Sequence, residues 1–263
     1  MKYIALLFVV NCVIILSLFS GCNGQNKNEQ NASVVESSHF YKNIFGEKYL
    51  ATGHYENNNG DSIETNLWFI TNLTTPVVIS GQYLDGLPKG EWKFGFKDAT
   101  VLSTQWLQYR NAMTKCSFSL PFQFNETLID SNHFRLRIMN DSLGKISIIV
   151  GVSDTVSENQ NLFNFKLNSE TGLREKGYSL KDTTTEIAKA GARYFFTEYF
   201  MTDSVKKDVK LYHLYGNTPS RHHFVEFLLF HDGPKEEVVK IIYNLMSTSL
   251  YIDNERFFNP HLN

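Results

Sequence analysis

Histidine and glutamate side chains gather between residues 213 and 231, and they are the first candidates for metal chemistry in this chain. His222, His223 and Glu226 follow one another closely, with His213 and His231 on either side. Imidazole nitrogens and carboxylates are zinc ligands. In a strand, however, His223 and Glu226 point to opposite faces, and His223 and His231 lie about 26 Å apart at roughly 3.3 Å per residue. We therefore predict solvated histidines at strand ends and no metal site, although the pairing of His213 is open.

The motifs of nucleophilic and phosphate chemistry are missing from the sequence. It contains no G-x-S-x-G turn for a hydrolase serine and neither of the glycine-rich phosphate loops. The paired carboxylates Glu236-Glu237 open a predicted helix, where the helix dipole already explains them. The sequence therefore predicts a protein that is not an enzyme and that binds no cofactor, with an unrecognised hydrolase site as a remaining alternative.

The thiol of Cys22 stands where a defined modification is expected. Met1-Lys2 precede an apolar run over residues 3–19, and a small pair, Ser20-Gly21, comes directly before the cysteine. A basic start, an apolar run and small residues at a cleavage site are typical of a secretory signal peptide. Leu18-Phe19-Ser20-Gly21-Cys22 resembles the lipobox of bacterial lipoproteins. The resemblance implies cleavage before Cys22 and acyl chains on its thiol and amino group.

Two alternatives to the lipoprotein interpretation are an uncleaved membrane anchor and an ordinary secreted protein. The apolar run has 17 residues and is interrupted by Asn11. That length is at the short end of the roughly 17–25 residues that span a bilayer. Acyl chains anchor a protein through burial of their methylene groups, so we expect the membrane to be one partner of this chain.

Composition limits what the mature chain can be. Removal of residues 1–21 leaves 242 of the 263 residues, and 42% hydrophobic and 14% aromatic content can build a core. The formal net charge of −2 gives no basic surplus for nucleic acid. Cys12 leaves with the signal, so Cys116 is the single cysteine outside the anchor and no disulfide forms within the chain. We expect Cys116 to be buried as a small hydrophobic residue.

Residues 22–40 are predicted to be a flexible tether. The stretch is polar, with a short Val34-Val35 pair, and it cannot bury a core. Asn23 follows the cysteine, and the first acidic residue is Glu29. In the bacterial lipoproteins that this chain resembles, such a pattern implies delivery to the outer membrane. We therefore expect a lipid-anchored envelope protein that faces the periplasm.

A β-hairpin is predicted over residues 81–94. Tyr83 and Trp92 flank the turn Gly86-Leu87-Pro88-Lys89-Gly90, where the glycines supply positive φ and the proline fixes it. The run Gly81, Tyr83, Gly86, Gly90 and Trp92 resembles a MORN-type repeat, whose pattern is G-x-Y-x-x-G-x-x-x-G-x-W.

An earlier copy of this repeat begins at Gly53-His54-Tyr55, 28 residues upstream, and ends at Leu67-Trp68-Phe69. Its longer turn would place Trp68 out of register. We assign residues 41–112 to a MORN-like hairpin segment whose sheet Trp106 and Tyr109 close. Repeats of this kind stack to bury their faces, so the aromatic residues are expected to form a core or, alternatively, a platform for a ligand.

Residues 113–256 contain alternating apolar strands followed by one amphipathic helix. Asp232-Gly233-Pro234 signals the helix start, and Val238, Ile241 and Leu245 share its apolar face, with Lys240 and Asn244 opposite. The order of these elements resembles the PsbP-like fold, whose members mostly bind proteins. The fold class predicted for the whole chain is therefore α+β: antiparallel MORN-like hairpins, followed by an antiparallel sheet covered by helices.

The function predicted from the sequence is that of a non-enzymatic, lipid-anchored envelope protein that binds a protein partner or serves an assembly. The alternative is a lipoprotein that binds a small ligand or glycan by stacking it on aromatic side chains of the hairpins. The candidate binding residues for that alternative are Tyr83, Trp92, Trp106 and Tyr109.

Overall fold

The computed structural model of the chain describes residues 34–58, 61–73, 77–96, 101–154, 162–181, 185–189, 192–202 and 208–258. The signal peptide, Cys22 and the tether up to residue 33 lie outside the described residues. Strand β1 begins at Val34, so residues 34–40, which we expected to belong to the tether, pair with β2 instead.

A curled antiparallel sheet, here called the first sheet, is built largely from consecutive hairpins. Its strand order is β1-β2-β3-β4-β5-β6-β7-β16-β17. The strands are β1 (Val34–Lys42), β2 (Lys48–Asn58), β3 (Asp61–Asn72), β4 (Val78–Leu84), β5 (Leu87–Gly95), β6 (Val101–Asn111), β7 (Cys116–Leu120), β16 (Tyr251–Ile252) and β17 (Glu255–Arg256).

The second sheet is also antiparallel and has the order β11-β13-β14-β15-β10-β9-β8, with β12 paired to β13. Its strands are β8 (Asn125–Leu128), β9 (His133–Asn140), β10 (Gly144–Asp154), β11 (Ser179–Leu180), β12 (Thr185–Lys189), β13 (Ala192–Thr202), β14 (Asp208–Asn217) and β15 (His223–Asp232). Strand β15 is central, with three strands on either side of it in this order.

Two helices occur among the described residues, α1 (Leu162–Glu175) and α2 (Glu236–Thr248). Helix α2 is the predicted amphipathic helix, but its N-cap residue is Lys235 in a left-handed conformation, not Asp232. Its burial also extends beyond the predicted stripe: Asn244 is buried and accepts a hydrogen bond from the Ile44 N–H at 3.3 Å. A loop of the first sheet therefore covers the face of α2 that we expected to meet solvent.

The two sheets and α2 share one hydrophobic core. Phe118 of β7 packs edge-on against Phe227 of β15, with ring centroids 5.7 Å apart. Phe45, in the loop between β1 and β2, packs in the same way on Tyr212 of β14 at 5.1 Å. Strand and loop residues of the first sheet thus cover part of the second sheet.

The predicted α+β fold class is wrong, because the protein is mostly antiparallel β structure. The predicted strands and the C-terminal helix are present, but the described residues form no layer of helices over the second sheet. The two described helices are 14 and 13 residues long, too little to cover eight strands. Side chains such as Phe45 and Phe118 occupy places that a helical layer would fill. No described helix has the length and hydrophobicity needed to cross a membrane.

Candidate functional site

A row with large apolar side chains at Phe40, Leu50, Val78 and Val101 crosses six strands of the first sheet, and three of these four are exposed. Strand register connects the members of this row directly, one from each strand: Phe40, Leu50, Thr71, Val78, Gly95 and Val101. Phe40 is 75% exposed and Val101 is 64% exposed. We call the face that carries this row the outer face.

The neighbouring row on the outer face carries mostly hydroxyl groups. Its members, again one from each strand, are Ser38, Thr52, Phe69, Ser80, Lys93 and Ser103. Phe69 is 45% exposed, and the hydroxyls of Ser38 and Thr52 lie 2.9 Å apart within hydrogen-bond distance. Large apolar groups alternate here with small neutral hydrogen-bonding groups, and charges are few.

A shallow depression of about 280 Å³ lies next to these rows. Its lining includes Leu67, Ser80, Gln82 and the ion pair Glu91–Lys93, whose charged atoms are 3.4 Å apart. The backbone of Gly81 also contributes to the lining. Both charged side chains are about half exposed, so solvent screens this pair and it contributes little to stability.

The candidate aromatic residues lie on the opposite face, which we call the inner face. Trp92, Trp106 and Tyr109 are buried in the core, and Tyr83 is half-buried against Trp92, with ring centroids 5.2 Å apart. Burial raises the pKa of the Tyr109 hydroxyl, whose partner is the side-chain amide of Asn111 at 3.2 Å. These positions give the four side chains a packing role, and the proposal that they stack on a ligand stays a prediction.

The two hairpins have the same local geometry on the inner face. The indole of Trp68 lies on Gly53 and that of Trp92 lies on Gly81, at a register shift in both cases. Asn66 and Gly90, each two residues before the tryptophan, both have positive φ. The longer first hairpin therefore does not displace Trp68, contrary to our expectation, because its additional residues lie toward the turn.

The histidines do not converge on a metal site, and the described residues contain no group of three His, Cys, Asp or Glu that could hold an ion. His213 and His231 are buried, so the expectation of solvated histidines is wrong for these two. The Nε2 atom of His213 lies 3.1 Å from the Glu226 carboxylate on the adjacent strand, which settles the open pairing. His231 instead lies within hydrogen-bond distance of the Leu143 carbonyl, at 2.8 Å from Nε2. Burial lowers the pKa of His231, while that hydrogen bond opposes the shift.

A network of opposite charges surrounds the start of α2. Lys240 approaches Glu198 of β13 at 3.3 Å and Glu236 of the same helix at 3.5 Å, and Lys181 pairs with Glu198 at 3.0 Å. The Lys240 ammonium also lies 5.0 Å from the centre of the Phe45 ring. These pairs connect the helix to the sheet, so we assign them a structural role.

Sequence reasoning missed the outer face. Its signal was present in β3, where Leu67 and Phe69 alternate with Trp68 and Ile70, so both faces of the strand carry large apolar side chains. A strand that is apolar on both faces is either buried on both sides or exposes one apolar face. The first sheet does the latter, since Leu67 and Phe69 are exposed while Trp68 is buried.

Comparisons with known proteins find weak structural similarity and no sequence relative. No family model and no curated protein matches the chain. The Ran-binding protein Mog1p of Saccharomyces cerevisiae aligns at 11% identity and a TM-score of 0.42, covering 57% of this chain and 96% of Mog1p. A mutant form of Mog1 gives 12% identity and a TM-score of 0.41, over 56% of this chain and 96% of that one.

A protein of unknown function from Pseudomonas aeruginosa, described as a putative regulator, aligns at 11% identity and a TM-score of 0.31. This alignment covers 49% of this chain and 83% of the other. Similarities at this level establish neither a shared fold nor a shared function.

Proposed function

We propose that this chain is a lipid-anchored, non-enzymatic protein of the bacterial envelope that binds another protein through its outer face. The observation that carries the proposal is the row from Phe40 to Val101, which is continuous in strand register and exposes Phe40, Val78 and Val101. Five intervals of about 4.8 Å between strands make this row roughly 24 Å long. Leu67 and Phe69 are exposed on the same face, and contiguous exposed apolar side chains bordered by polar groups are typical of interaction sites.

The side chains of the outer face indicate the chemistry of the partner. Acidic and basic groups occur together, as in Glu91–Lys93, so the face has no field of one sign that would attract nucleic acid or a strongly charged protein. Serine and threonine hydroxyls stand between the apolar groups. The face suits a protein surface that is apolar at its centre and supplies neutral hydrogen-bond donors and acceptors around it.

The anchor is proposed from the lipobox at Cys22, which places the binding face close to a membrane, with the outer membrane as the expected location. Cys22→Ala should abolish incorporation of a labelled fatty acid and leave the signal peptide uncut. If the wild-type protein takes up no label, the anchoring part of the proposal is wrong, whatever the outer face binds.

Site-specific crosslinking tests the binding face. A photoreactive amino acid at Phe69 or Val101 should give crosslinks to one protein in intact cells, and Phe69→Lys should reduce the yield at Val101 at least several-fold. Leu167, on α1, is 56% exposed and serves as the matched apolar position away from the face. Equal crosslinking from Leu167, or no loss with Phe69→Lys, would contradict the proposal.

A further inference from the structure

Strand β1 is an unusually regular edge of the first sheet. Within the described residues it pairs with β2 alone, and all nine of its residues pair without a register shift. It contains no proline and one lysine, at its end. Natural edge strands are protected by short length, bulges, prolines or lysines, because their unpaired backbone groups can pair with another chain.

The side chains of β1 are accessible as well as its edge. Val34 is 52% exposed, Phe40 is 75% exposed, and Glu36, Ser38 and Lys42 are also exposed. In the contact with β2, Lys42 lies opposite Lys48, so this lysine faces a like charge within the subunit. An acidic side chain from outside would relieve that repulsion.

We propose that two copies of this chain pair through β1, in antiparallel orientation, to join their first sheets into one. The charge pattern of β1 selects the register. If residue 39 of one copy lies opposite residue 39 of the other, Glu36 of each copy faces Lys42 of its partner, and Ser38 faces Phe40. The interface then contains two opposite-charge pairs, related by the two-fold axis.

Other registers lack this complementarity. A shift that places Ser38 opposite Ser38 sets Glu36 against Phe40, and Lys42 against Val34. A shift by an odd number of positions sets residues of the outer face opposite residues of the inner face, where His39 packs against Trp68 and Tyr55. The register centred on His39 keeps the outer faces of both copies on one side of the joined sheet.

Charge reversal tests the register. With the full chain in mild detergent, sedimentation velocity should show a concentration-dependent dimer for the wild type. Glu36→Lys sets a lysine against Lys42 of the partner copy at each end of the interface, and Lys42→Glu likewise sets two carboxylates against each other. Each single variant should raise the dimer dissociation constant roughly tenfold or more, since two cross-strand pairs change from attraction to repulsion.

The register also predicts that dimerisation is restored when the two charge-reversed proteins are mixed, which misfolded variants would not show. An equimolar mixture of the Glu36→Lys and Lys42→Glu proteins should dimerise like the wild type, because both pairs in the mixed dimer are complementary. The double variant should recover for the same reason. Glu91→Lys, on the same face but on β5, is the matched control and should leave the dissociation constant unchanged.

Cysteine crosslinking separates the possible registers. A mixture of Ser38→Cys and Phe40→Cys proteins should form a disulfide-linked dimer, and Ser38→Cys alone should not. A monomeric wild type at all concentrations would overturn the proposal, and so would a dimer that tolerates both charge reversals. A disulfide with Ser38→Cys alone would overturn the register. The proposed protein-binding function is tested separately, because its crosslinking positions Phe69 and Val101 lie on β3 and β6, away from the β1 edge.

Discussion

The indole of Trp92 lies directly on the Cα of Gly81, so a Cβ atom built there would be only 2.0 Å from the Cδ2 atom of the indole. The ring nitrogen of Trp92 donates a hydrogen bond to the Gln82 carbonyl at 3.2 Å, which fixes the indole in this position. Trp68 has the same relationship with Gly53, where the corresponding distance is 2.2 Å. In each hairpin, a glycine on one strand therefore accommodates a tryptophan on the next.

Replacing either glycine should destabilise the first sheet. In Gly81→Ala or Gly53→Ala, the added methyl group forces the indole or the backbone to move, at a cost of about 1–3 kcal/mol of unfolding free energy. The measurement is urea denaturation followed by circular dichroism. Gly172→Ala is the control, since a Cβ added there in α1 would have no atom within 4 Å apart from its chain neighbours and the backbone of its own helix, and a helical alanine should stabilise by about 0.5–1 kcal/mol. Equal stability of Gly81→Ala and Gly172→Ala would refute the packing argument.

Lys240→Met should weaken the attachment of α2 to the second sheet. The variant loses the contacts with Glu198 and Glu236, and it removes the cation from the ring of Phe45. Lys240 is only 11% exposed, so its contacts should contribute more than those of a surface pair, but Lys181 still pairs with Glu198 in the variant. We therefore expect the unfolding free energy to fall by about 1–2 kcal/mol.

Lys93→Met is the matched control for the Lys240 variant. It also breaks a lysine–glutamate pair, but both partners are 54% exposed, so its effect on unfolding free energy should be near zero. Thermal and urea unfolding of the two variants give the comparison. A loss for Lys93→Met as large as that for Lys240→Met would show that burial does not decide the strength of these pairs.

Cys116 should not react with thiol reagents in the folded protein. It is buried in β7 as the sequence predicted, and burial raises the pKa of its thiol. Peptide mapping after maleimide treatment should find Cys116 labelled only once denaturant has unfolded the chain. Ser103→Cys places a thiol at an exposed position of β6 and should react in the native state. Rapid native labelling of Cys116 would mean that this part of the core opens readily.

Stability should fall on acidification because of His231. Burial lowers its pKa in the folded protein below the unfolded value of about 6.5, so the unfolded chain binds the proton more tightly. The contribution of neutral His231 is complete above that value and is lost as the pH falls toward the folded-state pKa. Acidic Glu236 and Asp232 oppose the shift and Lys210 reinforces it.

His231→Gln tests this dependence, since an amide can still donate to the Leu143 carbonyl. We expect the wild-type protein to lose more unfolding free energy than the variant between about pH 8 and pH 5, measured by urea denaturation. His222→Gln, at an exposed position, is the control and should follow the wild type. If the unfolding free energies of His231→Gln and the wild type fall equally with pH, His231 is not the source of the pH dependence.

The sequence contained enough to predict most strands, the C-terminal helix and the burial of Cys116. Local alternation and helical periodicity carry these features, as in β15 and in the apolar stripe of α2. The packing of the two sheets and α2 on one another could not be predicted from these local patterns, because it depends on contacts between residues that are distant in the chain. Asn244 looked solvated on α2, yet it meets the Ile44 N–H, 200 positions away in the chain. Phe45 sits in a loop with no periodicity that would indicate its place in the core.

The sequence carries only part of the signal for the outer face. Leu67 and Phe69 alternate with buried residues, but the same pattern describes a strand buried on both sides. Only the pairing of six strands shows that Phe40 and Val101, 61 positions apart, belong to one row. For Cys22 the sequence is the sole source of the prediction, because this residue lies outside the described residues.

All three tryptophans of the chain, Trp68, Trp92 and Trp106, lie on the inner face of the first sheet, and the second sheet has none. Intrinsic fluorescence excited at the indole band therefore reports on the first sheet alone, without any label. The rings of Trp92 and Trp106 are 5.9 Å apart, close enough for coupling of their excited states to appear in near-ultraviolet circular dichroism. Comparing these tryptophan signals with far-ultraviolet circular dichroism, to which the strands of both sheets contribute, would show whether the two sheets melt together or separately.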